Sequence, residues 1–223
     1  MSSAVDICNL ALSHLGDEAE VIAIVPPDGT IQAAHCGRFY PMARDVLLEM
    51  HPWTFATARA SLAVQPDAPP SEWAYAYALP NNCLKPRAIY MPAAAQDGRG
   101  EDYIVETDAD GDGVVYTNVA EAVMRFTYRQ ADTTKFTPGF VTALSRLLAA
   151  YLAGPIIKGS TGIQASQSQL KWFGVEFANA RASDANTGQR STYSRRIPDV
   201  VRARESSGLG GFAVDANGTI FYP

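Results

Sequence analysis

The sequence predicts an α+β protein: a helical bundle of about four helices, an inserted antiparallel β region and an extended C-terminal arm. Three observations point there. Apolar residues spaced three and four apart, the period of a helix, occupy residues 1–51 and 137–185. Over residues 52–136 the period drops to two with no helical pattern between the strand candidates, which favours antiparallel pairing. From residue 186 to 223 neither period persists. The bundle is therefore expected to be discontinuous, with the β region inserted between its halves and the arm following.

The first helix is expected over Ser3 to Leu15. Ser3 and Asp6 have capping-box spacing, Ile7, Leu10, Ala11 and Leu15 form a stripe, and Gly16 is the stop. Pro26-Pro27-Asp28-Gly29 marks a turn. A second helix spans about Thr30 to Met50, with Cys36, Phe39, Tyr40, Ala43, Val46, Leu47 and Met50 on one face and a kink expected at Pro41. Trp53 and Phe55 then open a run of alternation that continues through Leu62 and Val64. In 72–79, Trp73, Tyr75 and Tyr77 alternate with alanines, which predicts an aromatic strand face. Ala88–Met91 is a shorter strand candidate. Tyr103–Thr107 and Val114–Thr117 flank an Asp/Gly-rich turn and read as a hairpin, and Ala122–Tyr128 is the last strand.

The clearest helix is TPGFVTALSRLLAAYLAGP, residues 137–155. Thr137 suits the N-cap, Pro138 the first turn, and Gly154-Pro155 the stop. It is apolar on nearly every side, so it is expected at the centre of the bundle. After a loop over 158–162, a last helix runs from about Gln164 to Ala182, with Leu170, Phe173, Phe177, Ala180 and Arg181 on its packed side. The remainder carries five arginines against Asp199, Glu205 and Asp215, a net charge of +2 over residues 186–223 in a chain of −5. Its aromatic residues set it apart from an ordinary disordered tail and suggest an arm that orders on a partner. The arginines suit phosphates or acidic side chains of a protein partner, or stand in a solvated tail.

Bulk composition narrows the classes. The 223 residues fit one large domain, or one domain with an insert. The 18% charged content is low, which argues for surface covered by assembly. A pI near 5.2 argues against a chain built as a whole to grip nucleic acid or anionic membrane. Residues 1–17 have neither the basic segment nor the apolar run of a signal peptide. Cys8, Cys36 and Cys83, distant in sequence and odd in number, read as reduced core residues.

No constellation for chemistry emerges. Asp108, Asp110, Asp112 and Gly113 match half a calcium loop, but its twelfth position is Val119, so a hairpin turn is expected. His14, His35 and His51 have no nucleophile in a recognisable motif, and His35 and Cys36 point about 100° apart on a helix. Asp17, Glu18 and Glu20 read as a solvated loop. No catalytic residue, metal or cofactor is expected.

Several stretches resemble head–tail adaptor proteins of tailed bacteriophages, the group that includes tail tubular protein A of short-tailed phages. They are ICNLALSHLGDE, PPDGTIQAAHCGRFYPMARDVLLEMHPWTFATARASLA, PSEWAYAYALPNNCLKPRAIY and VMRFTYRQADTTKFTPGFVTALSRLLAAYLAGPI. The most specific are FYPMARDVLLEMHPWTFATARA and EWAYAYALP, and the resemblance covers roughly residues 4–182. It implies a structural ring subunit, typically one of twelve, seated beneath the portal of the virion. One face would meet the portal and the other the next tail component, such as a nozzle or tail-terminator protein. Double-stranded DNA would pass through the bore without sequence-specific binding, and no membrane is involved. The portal-binding arm would use Tyr193, Arg195, Arg196, Ile197, Pro198, Val200, Val201, Leu209, Phe212, Ile220, Phe221 and Tyr222. Two other readings are a nucleic-acid-binding protein using the arm's arginines and a peptidoglycan hydrolase with Glu18 or Glu20 as acid.

Overall fold

The computed structural model describes residues 2–67, 69–92, 100–108 and 110–187, and the backbone of 213–214 and 220–221. The chain separates into two compact units, Met1–Gly188 and Gln189–Pro223. Among its described residues the first is an α+β fold of four α-helices and six strands in two antiparallel sheets. In the second, β7 (Ala213–Val214) pairs antiparallel with β8 (Ile220–Phe221).

Helix α1 (Ala4–Ser13) starts on the expected capping box: Ser3 Oγ accepts from the Asp6 N–H, and the Asp6 carboxylate accepts from the Ser3 N–H. Its buried face is Ile7, Cys8, Ala11 and Leu12: Ile7 and Ala11 are buried as expected and Leu15 packs on the core, but Leu10 is exposed and Cys8 and Leu12 take part instead. After a loop pinned by Asp28, which accepts from the Ile22 N–H and from Thr30, comes α2 (Ile31–Met50), capped by Thr30. Gly37 lets it pass under this loop: a Cβ there would lie 2.8 Å from the Ile24 carbonyl oxygen. Leu48 is buried on α2, whereas Val46 and Met50, predicted to face inward, are exposed.

Helices α3 (Pro138–Ile157) and α4 (Gly159–Thr187) form an antiparallel hairpin. The stop predicted at Gly154-Pro155 is overridden. Pro155 withholds one N–H, but α3 continues to Ile157, and Ile156 packs on the core. The turn is made by Lys158 at φ 62 and Gly159 at φ 61, so the loop predicted at 158–162 belongs mostly to α4. Small residues let the two helices approach: a Cβ on Gly162 would stand 3.0 Å from the Ala153 carbonyl oxygen. α3 packs against α1, α2 and α4, which explains why it is apolar on so many sides. On α4, Phe173 and Ala180 are buried as expected, but Leu170 is exposed. The stripe runs Gly162, Gln169, Phe173, Ala180, Asp184 instead.

Trp53 and Phe55 do not begin a strand. Thr54–Ala56 is a turn of 3-10 helix, and Trp53 is fully buried in the helical core, its Nε1–H donating to the Leu47 carbonyl at 2.9 Å. Its ring meets Phe140 edge-on at 5.0 Å and Phe177 at 6.1 Å. An indole that fills the junction of three helices outweighs two residues of alternation.

The strands are β1 (Thr57–Ser61), β2 (Tyr75–Ala78), β3 (Cys83–Tyr90), β4 (Tyr103–Thr107), β5 (Gly113–Thr117) and β6 (Val123–Tyr128). One sheet runs β1-β6-β3 and the other β2-β5-β4. Two seams join them: Val64, past the end of β1, bridges Tyr77, and Ile89 bridges Glu101 just before β4. The hydrogen-bonded circuit thus closes in the order 1-6-3-4-5-2, as in a small barrel. Leu62, Tyr77, Ile89, Val115, Met124 and Phe126 fill it. The aromatic face predicted for 72–79 is only partly formed. Tyr77 is buried and its hydroxyl donates to the Val119 carbonyl, while Tyr75 is exposed and Ala76 is buried on the opposite face. The β4–β5 hairpin turn is as expected, with Asp108 Oδ1 accepting from the Asp110 and Asp112 N–H groups.

Candidate functional site

Three pairs of reactive side chains meet, and each is held in a way that limits its chemistry. Ser145, on α3, lies 3.1 Å from His14 Nε2 just past the end of α1. Its hydroxyl already donates to the Thr142 carbonyl at 2.8 Å and it is fully buried, so it accepts from His14 and is out of reach of any substrate. Burial, with the nearby Arg146 charge, holds His14 below the ordinary histidine range.

The Cys8 and Cys36 thiols interact in the core, and this neighbour, with burial, raises Cys8 above the ordinary thiol range; both are free cysteines. Asp184, near the end of α4, accepts from the Thr54 N–H, the Thr54 hydroxyl at 2.7 Å and His51 Nε2 at 3.2 Å. This buried carboxylate latches the last turns of α4 to the chain leaving α2. It occupies the next stripe position after Phe173 and Ala180, which is the signal by which the sequence could have shown it. Among the described residues, no group of three or more His, Cys, Asp or Glu side chains could hold a metal ion. Glu18 and Glu20 stand exposed in the loop after α1.

Exposed apolar surface is easier to find. Large apolar side chains are exposed on the outer face of α2, at Ile31, Met42 and Val46, and at its end, Met50. Ile22 and Val25 in the preceding loop are 81% and 83% exposed. A second set, Ile163, Leu170, Trp172 and Val175, lies on α4. Between α3 and α4, Arg146 donates to Gln169 Oε1 at 3.0 Å and stands 5.8 Å over the ring of Trp172, itself 53% exposed. Gln169 in turn donates to the His14 carbonyl. An arginine and a tryptophan held together at a surface are the residue types that dominate protein–protein contacts.

The arm residues Tyr193, Arg195, Arg196, Ile197, Pro198, Val200, Val201, Leu209, Phe212 and Tyr222 lie outside the described residues. Ile220 and Phe221 are described only as the backbone of β8. No protein-family model matches the chain, and no curated protein matches it.

Proposed function

We propose that the chain is a structural, non-enzymatic subunit of a phage head-to-tail connector ring, assembled in the virion neck. It would dock on the portal, extend the DNA channel and present a face to the next tail component. The observation that carries the assembly is the pair of exposed apolar surfaces on different helices, α2 and α4. A head-to-tail ring needs two unlike patches on each subunit, because each copy gives one face and receives the other. What it assembles into rests on the resemblance. Its most specific stretch, FYPMARDVLLEMHPWTFATARA, forms the outer and inner faces of α2, the Trp53 hub and the entry into β1.

The mass of the purified full chain, alone and mixed with the portal protein of the same phage, tests this. A ring, free or formed on the portal, is expected. A chain that stays monomeric in both conditions would remove the reading. Deleting residues 190–223 is expected to abolish portal binding while leaving the helical signal intact. Undiminished binding by the truncated chain would refute the arm assignment.

A further inference from the structure

The loop between α1 and α2 holds out two apolar side chains that the described residues leave uncovered. Asn9 of α1 fixes it at Val21, donating to the Val21 carbonyl and accepting from the Val21 N–H. Val21 and Ile24 are buried in the helical core. Beyond them Asp28 closes the tip: its carboxylate accepts from the Ile22 N–H, and its own N–H donates to the Ala23 carbonyl at 3.1 Å. Ile22 and Val25 stand outside this frame in solvent, with Ile31 exposed at the start of α2. Apolar side chains held in place in water contribute nothing to the fold, but they lower the ordering cost of docking.

The charges around this tip have one sign. From Leu15 to Gly37 the chain carries Asp17, Glu18, Glu20 and Asp28 and no lysine or arginine. Glu18, Glu20 and Asp28 are exposed. The outer side of α4 is the complement. At about 100° per residue, Gln164, Lys171, Val175 and Ala182 fall opposite the buried Phe173 and Ala180, with Leu170 and Trp172 flanking them. Leu170, Trp172 and Val175 are exposed. The exposed residues of α4 include Lys171 and Arg181 and no carboxylate, since Glu176 is half-buried and Asp184 is buried.

The two surfaces lie on different sides of the bundle. α3 is wrapped by α1, α2 and α4, and α1 and α2 touch one another only lightly. The loop seals the seam between those two, resting on Asn9 of α1 and over Gly37 of α2. Three helices around a fourth put the seam between two of them on the side away from the third. One chain therefore cannot lay its loop on its own α4.

Resting on the connector-ring reading, we infer that the α1–α2 loop of one copy docks on the outer face of α4 of the next. Ile22 and Val25 meet Leu170, Trp172 and Val175, and the acidic rim faces Lys171 and Arg181. Like surfaces do not pair, because two loops would set carboxylates against carboxylates and two α4 faces would oppose their cations. A contact between unlike faces leaves one of each free, so copies add head to tail.

The test is a native mass measurement on the full chain in two variants. Ile22→Asp/Val25→Asp spoils the loop, and Lys171→Glu/Val175→Glu spoils the α4 face. The residues changed are all exposed, so circular dichroism and melting should match the wild type. Each variant alone should associate at least about tenfold more weakly than the wild type. Mixed in equal amounts, they should form dimers that grow no further, because one intact loop meets one intact α4 face and both ends of the pair are spoiled. A bismaleimide cross-linker gives a second readout, usable also where the wild type assembles only on the portal protein. In a Cys83→Ser background, Val25→Cys chains should be joined to Val175→Cys chains on mixing, and neither to itself. Wild-type-like rings from either variant alone, or cross-links as abundant within one cysteine variant as in the mixture, would overturn the docking and leave the ring reading standing. A wild type that stays monomeric alone and with the portal removes both.

Discussion

The helical and β regions of the first unit solve the same problem with different reach. The helical core is filled from contiguous stretches, each helix bringing an apolar face that its own spacing announces. Its centre is aromatic: Trp53, Phe55, Phe136 and Phe140 lie in a chain of ring contacts between 4.7 and 6.0 Å. The β core depends on closure. Leu62, Tyr77 and Ile89 face one another only because single bridges at Val64–Tyr77 and Ile89–Glu101 join two three-stranded sheets. Redundant packing holds the first region, and a few long-range seams hold the second.

Removing the Trp53 ring should have the largest effect. Trp53→Ala is expected to cost about 3–5 kcal/mol in urea unfolding. Both regions should lose protection from hydrogen exchange together, because the Tyr128 hydroxyl bonds to the Phe55 carbonyl and Arg129 pairs with Asp45 across their junction. Strands that keep full protection in this variant would show that the two regions unfold independently.

Next comes Asp184→Ala, expected to cost about 1–3 kcal/mol, since the Thr54 N–H would lose its acceptor. Exchange should quicken first in the last turns of α4 and at residues 51–56. Tyr77→Phe should cost about 1 kcal/mol and act on the other region, freeing the Val119 carbonyl and the turn into β6. If that variant loosened the helices as much as the strands, the contrast drawn between redundant packing and seams would fail.

The smallest effect is with pH. Burial lowers His51 below its ordinary 6.5, against the opposing pull of its bond to Asp184. Burial and then Arg146 lower His14. For both, the unfolded chain takes up a proton at higher pH than the folded one. Their contribution is intact above the ordinary histidine range and is lost as pH falls through it. Urea midpoints should therefore fall on acidification from about pH 7.5 to about pH 5.5, and His14→Asn should flatten the slope. An unchanged slope in that variant would remove His14 from the account.

Much of the helical part was legible because its signals are local. Ser3 and Thr137 are caps in the structure as in the sequence, and Thr30, where the second helix was expected to begin, caps α2. The β4–β5 hairpin was legible for the same reason, since Asp108 closes its turn within four residues. Local signals misled where a distant partner decided. Pro155 reads as a stop until the packing of Ile156 is known, and Trp53 reads as strand until its ring is placed among Phe140 and Phe177. Helix α4 runs on to Thr187, past the expected start of the arm at 186, and beyond it only the backbone of two short strands is described.

By itself, then, the sequence determined the α+β class, the helices with their caps, and the place where helical period gives way to strand period. These follow from hydrogen bonds and side-chain spacing within a few residues of each other. Only the tertiary structure decided that the two sheets close on themselves, that Asp184 latches α4 to Thr54, and that Arg59 pairs with Arg125 across β1 and β6. Asp184 and Thr54 lie 130 positions apart in the chain, and no local propensity records which distant strand or helix will lie beside a residue.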